Sequence, residues 1–102
     1  MYLGLFTLGD TVYFLHQTRN SSNVPTDADA VPTYRVYELP SETPLTTGST
    51  ALFDDSALTG VYMGSFSAAG GSGYEAGKNY AIRVADVVSS TTKASVYTFT
   101  VC

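Results

Sequence analysis

The sequence predicts an all-β antiparallel sandwich of about seven strands, built as a single domain over residues 1–102. Three observations predict it. The regular stretches are crowded with Thr, Val and Tyr, residue types that suit a pleated surface, and the chain holds 8 Tyr and 5 Phe. Gly and Pro interrupt it about every ten residues, the rhythm of short strands joined by turns. No segment keeps apolar residues three and four apart for long enough to make an amphipathic helix. A chain of this length suits one modest core.

The first strand is Tyr2 to Thr7, and Gly9–Asp10 turns the chain. The second is Thr11 to Thr18, "TVYFLHQT". Its alternation is ambiguous, because Val12 and Phe14 are apolar on one side and Tyr13 and Leu15 on the other. That pattern fits a strand covered on both faces, centrally in the fold or at a partner interface. Residues 19–33, "RNSSNVPTDADAVPT", form a long loop of the kind that is functional or partly ordered. The third strand is Tyr34 to Leu39, with Tyr34 and Val36 toward the core and Arg35 and Tyr37 on the other side. Pro40 and Pro44 bracket a connector, and Leu45 to Phe53 reads as a weak edge strand. "DDSALTG" is a turn ending at Gly60. Val61 to Ala68 follows, with Tyr62 and Phe66 inward and Gly64 between them. Ala69 to Gly73 is a flexible link. Tyr80, Ile82 and Val84 then alternate toward the core. "SSTT" closes a hairpin into the last strand, Lys93 to Val101, with Tyr97, Phe99 and Val101 on one face.

Composition narrows the function. Charged residues make up 14% of the chain and the net charge is −4. The cations Arg19, Arg35, Lys78, Arg83 and Lys93 are scattered, so no basic stripe follows a phosphate backbone or an anionic membrane. The lone cysteine, Cys102, excludes an internal disulfide and reads as a frayed terminal thiol. No run approaches the ~18 apolar residues of a membrane helix. "MYLGLFTLGD" lacks the basic region and small-residue cleavage site of a signal peptide, so assembly in a cytoplasm is expected.

"GYEAGKNYAIRV", from Gly73 to Val84, is the most specified stretch. In antiparallel sandwiches a tyrosine near the start of the penultimate strand can return its hydroxyl to backbone a few residues upstream, making a tyrosine corner. Here Tyr74 plugs the end of the core, Gly77 supplies the turn and Tyr80 begins the strand. The stretch resembles the "L-x-P-G-x-x-Y-x-V-x-V" pattern of fibronectin type III and related immunoglobulin-like domains, with Tyr74 in place of Leu and Ala76 in place of Pro. That resemblance implies an immunoglobulin-like sandwich. More of the chain is similar to small immunoglobulin-like structural proteins of tailed bacteriophages. It is carried by "GDTVYF" (Gly9–Phe14), "TGVY" (Thr59–Tyr62) and "AGKNYAI" (Ala76–Ile82). The resemblance implies a virion structural protein of the capsid decoration type, bound to the major capsid protein and to copies of itself.

Reactive chemistry has little to stand on. His16 is the only histidine and reads as an ordinary strand residue. No G-x-S-x-G elbow accompanies it. Asp27, Asp29, Asp54 and Asp55 sit in loops that could offer oxygen ligands to calcium but read as solvated acidic loops. "AAGGSG" lacks the Lys-Ser/Thr of a phosphate loop. No cofactor, metal, nucleic acid, membrane or small-molecule substrate is expected, and no enzymatic activity. The candidate partner-binding residues are Tyr2, Leu3, Leu5 and Phe6, an apolar terminus that either completes its own sheet or docks on a neighbour by strand addition. The alternatives are a tail or baseplate component, or a ligand- or glycan-binding module of an adhesin that uses the 19–33 loop.

Overall fold

A computed structural model describes residues 1–54 and 58–102. Its strands are β1 (Tyr2–Phe6), β2 (Thr11–Gln17), β3 (Thr33–Glu38), β4 (Pro44–Ser49), β5 (Ala51–Leu52), β6 (Val61–Ser67), β7 (Asn79–Val88) and β8 (Thr91–Val101). One 3₁₀ turn at Gly70–Ser72 occupies the Gly-rich link. They form two sheets, ordered β1-β8-β7-β3-β4 and β2-β6-β5. The inner faces of both contribute to one apolar core, so the chain is an all-β sandwich.

Four features depart from the sequence reading. The described residues hold eight strands, because the expected edge strand at Leu45–Phe53 is two. β4 belongs to the larger sheet and β5 to the smaller. Thr50 makes the crossing: it is buried, and its N–H and hydroxyl both donate to the Pro32 carbonyl, at 2.9 and 2.8 Å. Second, the sandwich is not wholly antiparallel, since β1 runs parallel to β8. Third, β2 lies at the edge of its sheet with Tyr13 and Leu15 in solvent, so one face is covered and the other is open. Fourth, the last hairpin turns on Ser89–Ser90 alone, and Thr91 and Thr92 already pair in β8. Within the expected turn after Phe53, Asp55 lies outside the described residues.

The core is a chain of rings. Phe14 meets Tyr34 edge-on at 5.2 Å, Phe66 stacks on Tyr74 at 5.9 Å, and Tyr80 stacks on Phe99 at 5.2 Å. Offset and edge-on contacts of this kind add to what the buried area contributes. Two glycines make room. Gly64 lies directly opposite Phe14 in the β2–β6 ladder, and a Cβ there would penetrate the Phe14 ring. Gly48 stands beneath the Tyr34 ring in the same way.

Gly64→Ala should therefore destabilise the fold by about 1–3 kcal/mol through overpacking. Urea titration reads this as a lower midpoint at unchanged m-value. An unchanged midpoint would mean that the Phe14 ring has room to move aside.

Candidate functional site

The corner comes first, because it fixes one end of the sandwich. Tyr74 and Tyr80 are both fully buried, with ring centroids 5.0 Å apart. The Tyr80 hydroxyl accepts from the Glu75 N–H at 2.7 Å and donates to the Glu75 carbonyl at 3.3 Å, which is the hydrogen-bond pattern of a tyrosine corner. Gly77 takes a φ of +85°, a conformation that costs glycine little, and its N–H bonds the Val101 carbonyl at 2.6 Å. Tyr74 shares a 2.6 Å hydrogen bond with the Thr46 hydroxyl.

His16 is more than a strand residue. The inward side of β2 is Val12, Phe14 and His16, and the inward side of β7 is Tyr80, Ile82, Val84, Asp86 and Val88. Core packing therefore drives His16 and Asp86 together across the sandwich, both buried, with Nε2 3.2 Å from the Asp86 carboxylate. His16 Nδ1 lies 2.8 Å from the Tyr97 hydroxyl, and the two rings meet edge-on. With Nε2–H donating to the carboxylate, Nδ1 accepts from the Tyr97 O–H. Burial pushes the Tyr97 phenol above its usual range, and the Asp86 carboxylate adds to the rise. Sequence reasoning missed this cluster. The available signal was strand parity, which puts a histidine and an aspartate on faces that are otherwise apolar. The pair has the ingredients of acid–base chemistry, and both side chains are buried, with Asp86 beside a shallow pocket also lined by Val31 and Thr92.

The acidic loop is anchored rather than solvated. Asp27 accepts from the Gly60 N–H at 2.8 Å. Asp29 accepts from the N–H groups of Ser89 and Ser90 at 3.1 and 2.9 Å. The Ala28 N–H donates to the Tyr62 hydroxyl, and Lys93 donates to the Arg19 carbonyl at 2.7 Å. Both aspartates spend oxygens on the protein's own amides. Among the described residues no group of three or more His, Cys, Asp or Glu could hold a metal ion.

The N-terminal quartet is divided. Leu3 and Phe6 pack against the core, Phe6 edge-on to Phe99 at 5.8 Å. Tyr2 and Leu5 face outward, 58% and 68% exposed. The Tyr2 hydroxyl donates to Thr100, tying its ring across the sheet. The terminus is held in its own sheet: Thr98 N–H donates to the Met1 carbonyl and Cys102 N–H to the Phe6 carbonyl, both at 2.8 Å. Cys102 is thus tied down at its backbone instead of frayed, although its thiol is exposed. Beside β1 an open apolar groove is lined by Met1, Leu3, Tyr13, Leu15, Phe53 and Met63.

Comparison with family models, curated proteins and solved structures finds no match to this chain.

Two measurements test this picture. His16→Leu and Asp86→Leu should each cost about 1–3 kcal/mol by stranding a buried polar partner, and the double variant should cost less than their sum. A double-mutant cycle by chemical denaturation checks it, and strict additivity would dissolve the pair. Alkaline pH tests the tyrosines. Tyr34, Tyr74 and Tyr97 are all raised above 10.0 by burial. The unfolded chain loses those protons first, so their contribution is intact below about pH 10 and is lost as pH rises beyond it. The melting temperature should fall steeply above pH 10, and less steeply in Tyr97→Phe.

Proposed function

We propose that this chain is a non-enzymatic structural protein of a bacteriophage particle, most specifically a decoration protein that cements the outer capsid surface. The observation that carries the reading is the outer side of β1. Tyr2 and Leu5 are large apolar side chains held in solvent by a strand whose backbone is paired along β8. Rigid, pre-ordered apolar groups lose little entropy on docking. Tyrosine suits an interface because its ring is apolar and its hydroxyl still finds partners. The strand order, with β1 beside β8 and a corner before β7, supports an immunoglobulin-like sandwich as the scaffold. The "GDTVYF" and "AGKNYAI" stretches support the phage assignment.

The mechanism is mechanical. Copies bind across joints between capsid subunits, and each adds buried area that must be exposed before the joint can open. A mature head repeats the same site many times, so modest affinity per copy sums over the shell.

The test begins with particles from the native source. Heads and tails are separated and this chain is quantified in each by mass spectrometry. Hundreds of copies with the heads are expected. A few copies in the tails would move the chain to a tail or baseplate role, and absence from both would favour a ligand-binding module. Added to undecorated heads, the protein should raise their melting temperature, and Leu5→Asp should abolish that effect while leaving the fold intact.

A further inference from the structure

Four strands end the two sheets: β1 and β4 in one, β2 and β5 in the other. Three of them carry features that stop a sheet from growing. β1 breaks register between Tyr2 and Leu5, where Gly4 takes a φ of +109°. β4 starts on Pro44 and slips register opposite Val36–Tyr37. β5 is 2 residues long. β2 carries none of these. It is 7 residues long, keeps unbroken register from Thr11↔Ser67 to Gln17↔Val61, and contains no Pro, Gly or charged side chain.

Its open edge can be assigned. Ala68 N–H donates to Asp10 O at one end of the ladder and Thr18 N–H to Gly60 O at the other. Antiparallel pairing alternates, so the even-numbered residues of β2 bond to β6. Thr11, Tyr13, Leu15 and Gln17 therefore turn their N–H and C=O groups away from the sheet. Among the described residues, no strand pairs with that edge. Tyr13 and Leu15 are also 60% and 52% exposed, next to the groove beside β1.

We propose that β2 pairs with β2 of a second copy, antiparallel about a two-fold axis through Phe14, joining two three-stranded sheets into one of six. The strand is self-complementary in this register. Thr11 falls opposite Gln17 of the other copy and Tyr13 opposite Leu15, so polar meets polar, apolar meets apolar, and no charge meets a charge although the chain is acidic overall. The alternating residues with free N–H and C=O groups are the ones that this register pairs. Pairing covers the outward N–H and C=O groups of Thr11, Tyr13, Leu15 and Gln17 and parts of the exposed Tyr13 and Leu15 side chains, a small interface at or below about 1,200 Å², the range of weak, reversible association. A weak, reversible dimer follows. An isologous contact closes on itself, so the open edge ends in a dimer and not a fibre.

The purified full chain tests this without reference to any particle. Sedimentation velocity from ~1 to ~500 µM should show monomer giving way to dimer, and Leu15→Lys should remain monomeric with an unchanged melting temperature. A monomer at every concentration overturns the proposal, and so does a dimer that survives Leu15→Lys. Cysteine cross-linking checks the register in a Cys102→Ser background. Tyr13→Cys mixed with Leu15→Cys should form a disulfide-linked pair, since directly opposed residues lie about 5.5 Å apart, whereas either variant alone should not. Homodimers of a single variant, or no cross-link at all, would overturn the register. Failure here leaves the capsid reading standing, and failure of the capsid reading leaves the dimer standing.

Discussion

A core rich in tyrosine must find a partner for every hydroxyl it buries, and the rest of the fold is arranged around that requirement. A phenol cut off from water without a hydrogen bond costs about 1–3 kcal/mol, which can cancel much of what its ring contributes. Here each is met at the rim of the core. Tyr34 donates to the Ser65 carbonyl, Tyr62 accepts from Ala28, Tyr74 meets Thr46, Tyr80 meets Glu75 and Tyr97 meets His16. Among the described residues no buried side-chain nitrogen or oxygen lacks a partner. Each of these bonds also ties something to the core: a loop, a corner or the opposite sheet. The rings fill the interior and their hydroxyls stitch its periphery.

What was legible in the sequence was local. Alternation in "YAIRV" and "SVYTFTV" placed β7 and β8, because period-two burial leaves its mark on neighbouring residues. The corner residues could be named because the turn, the ring and the strand start lie within seven positions, Tyr74 to Tyr80. The partners of long-range contacts were not legible. Nothing near Tyr2 says that its strand runs parallel to residues almost a hundred positions away, and nothing near Thr50 says that the chain changes sheets there. The central placement offered for β2 failed for a related reason, since β2 lies at a sheet edge. Tyr13 and Leu15 make its outer face apolar, and local pattern cannot separate a face covered by the chain itself from one left open. Local pattern also could not divide the N-terminal quartet: the irregularity at Gly4, with φ of +109°, breaks the alternation, so Leu3 and Phe6 turn inward and Tyr2 and Leu5 outward.

Loops at the ends of a sandwich are common binding elements, since a rigid scaffold can display them. In this chain the longest loop is consumed by internal bonds. Asp27, Asp29 and the Ala28 amide face the protein, and Lys93 holds the loop's start from the opposite strand. The open apolar groove is lateral, lined from both β1 and β2, which are edge strands of the two sheets.

The turn at Ser89–Ser90 bears on how the chain finds this structure. β7 and β8 form the longest ladder, with 10 residue pairs, and are adjacent in sequence, so their hairpin is the most local part of the sheet. Both turn residues are nevertheless left-handed, with φ of 50° and 66°, where Asn-Gly would sit easily and serine is strained. The carboxylate that receives their two N–H groups belongs to Asp29, 60 positions upstream. The hairpin tip is thus completed by a residue from the far side of the chain, and the quickest contact in the topology lacks its own closing element. The strained turn gains its two closing bonds only once Asp29 has docked, so the most local hairpin of the sheet still depends on a chain closure that spans 60 positions.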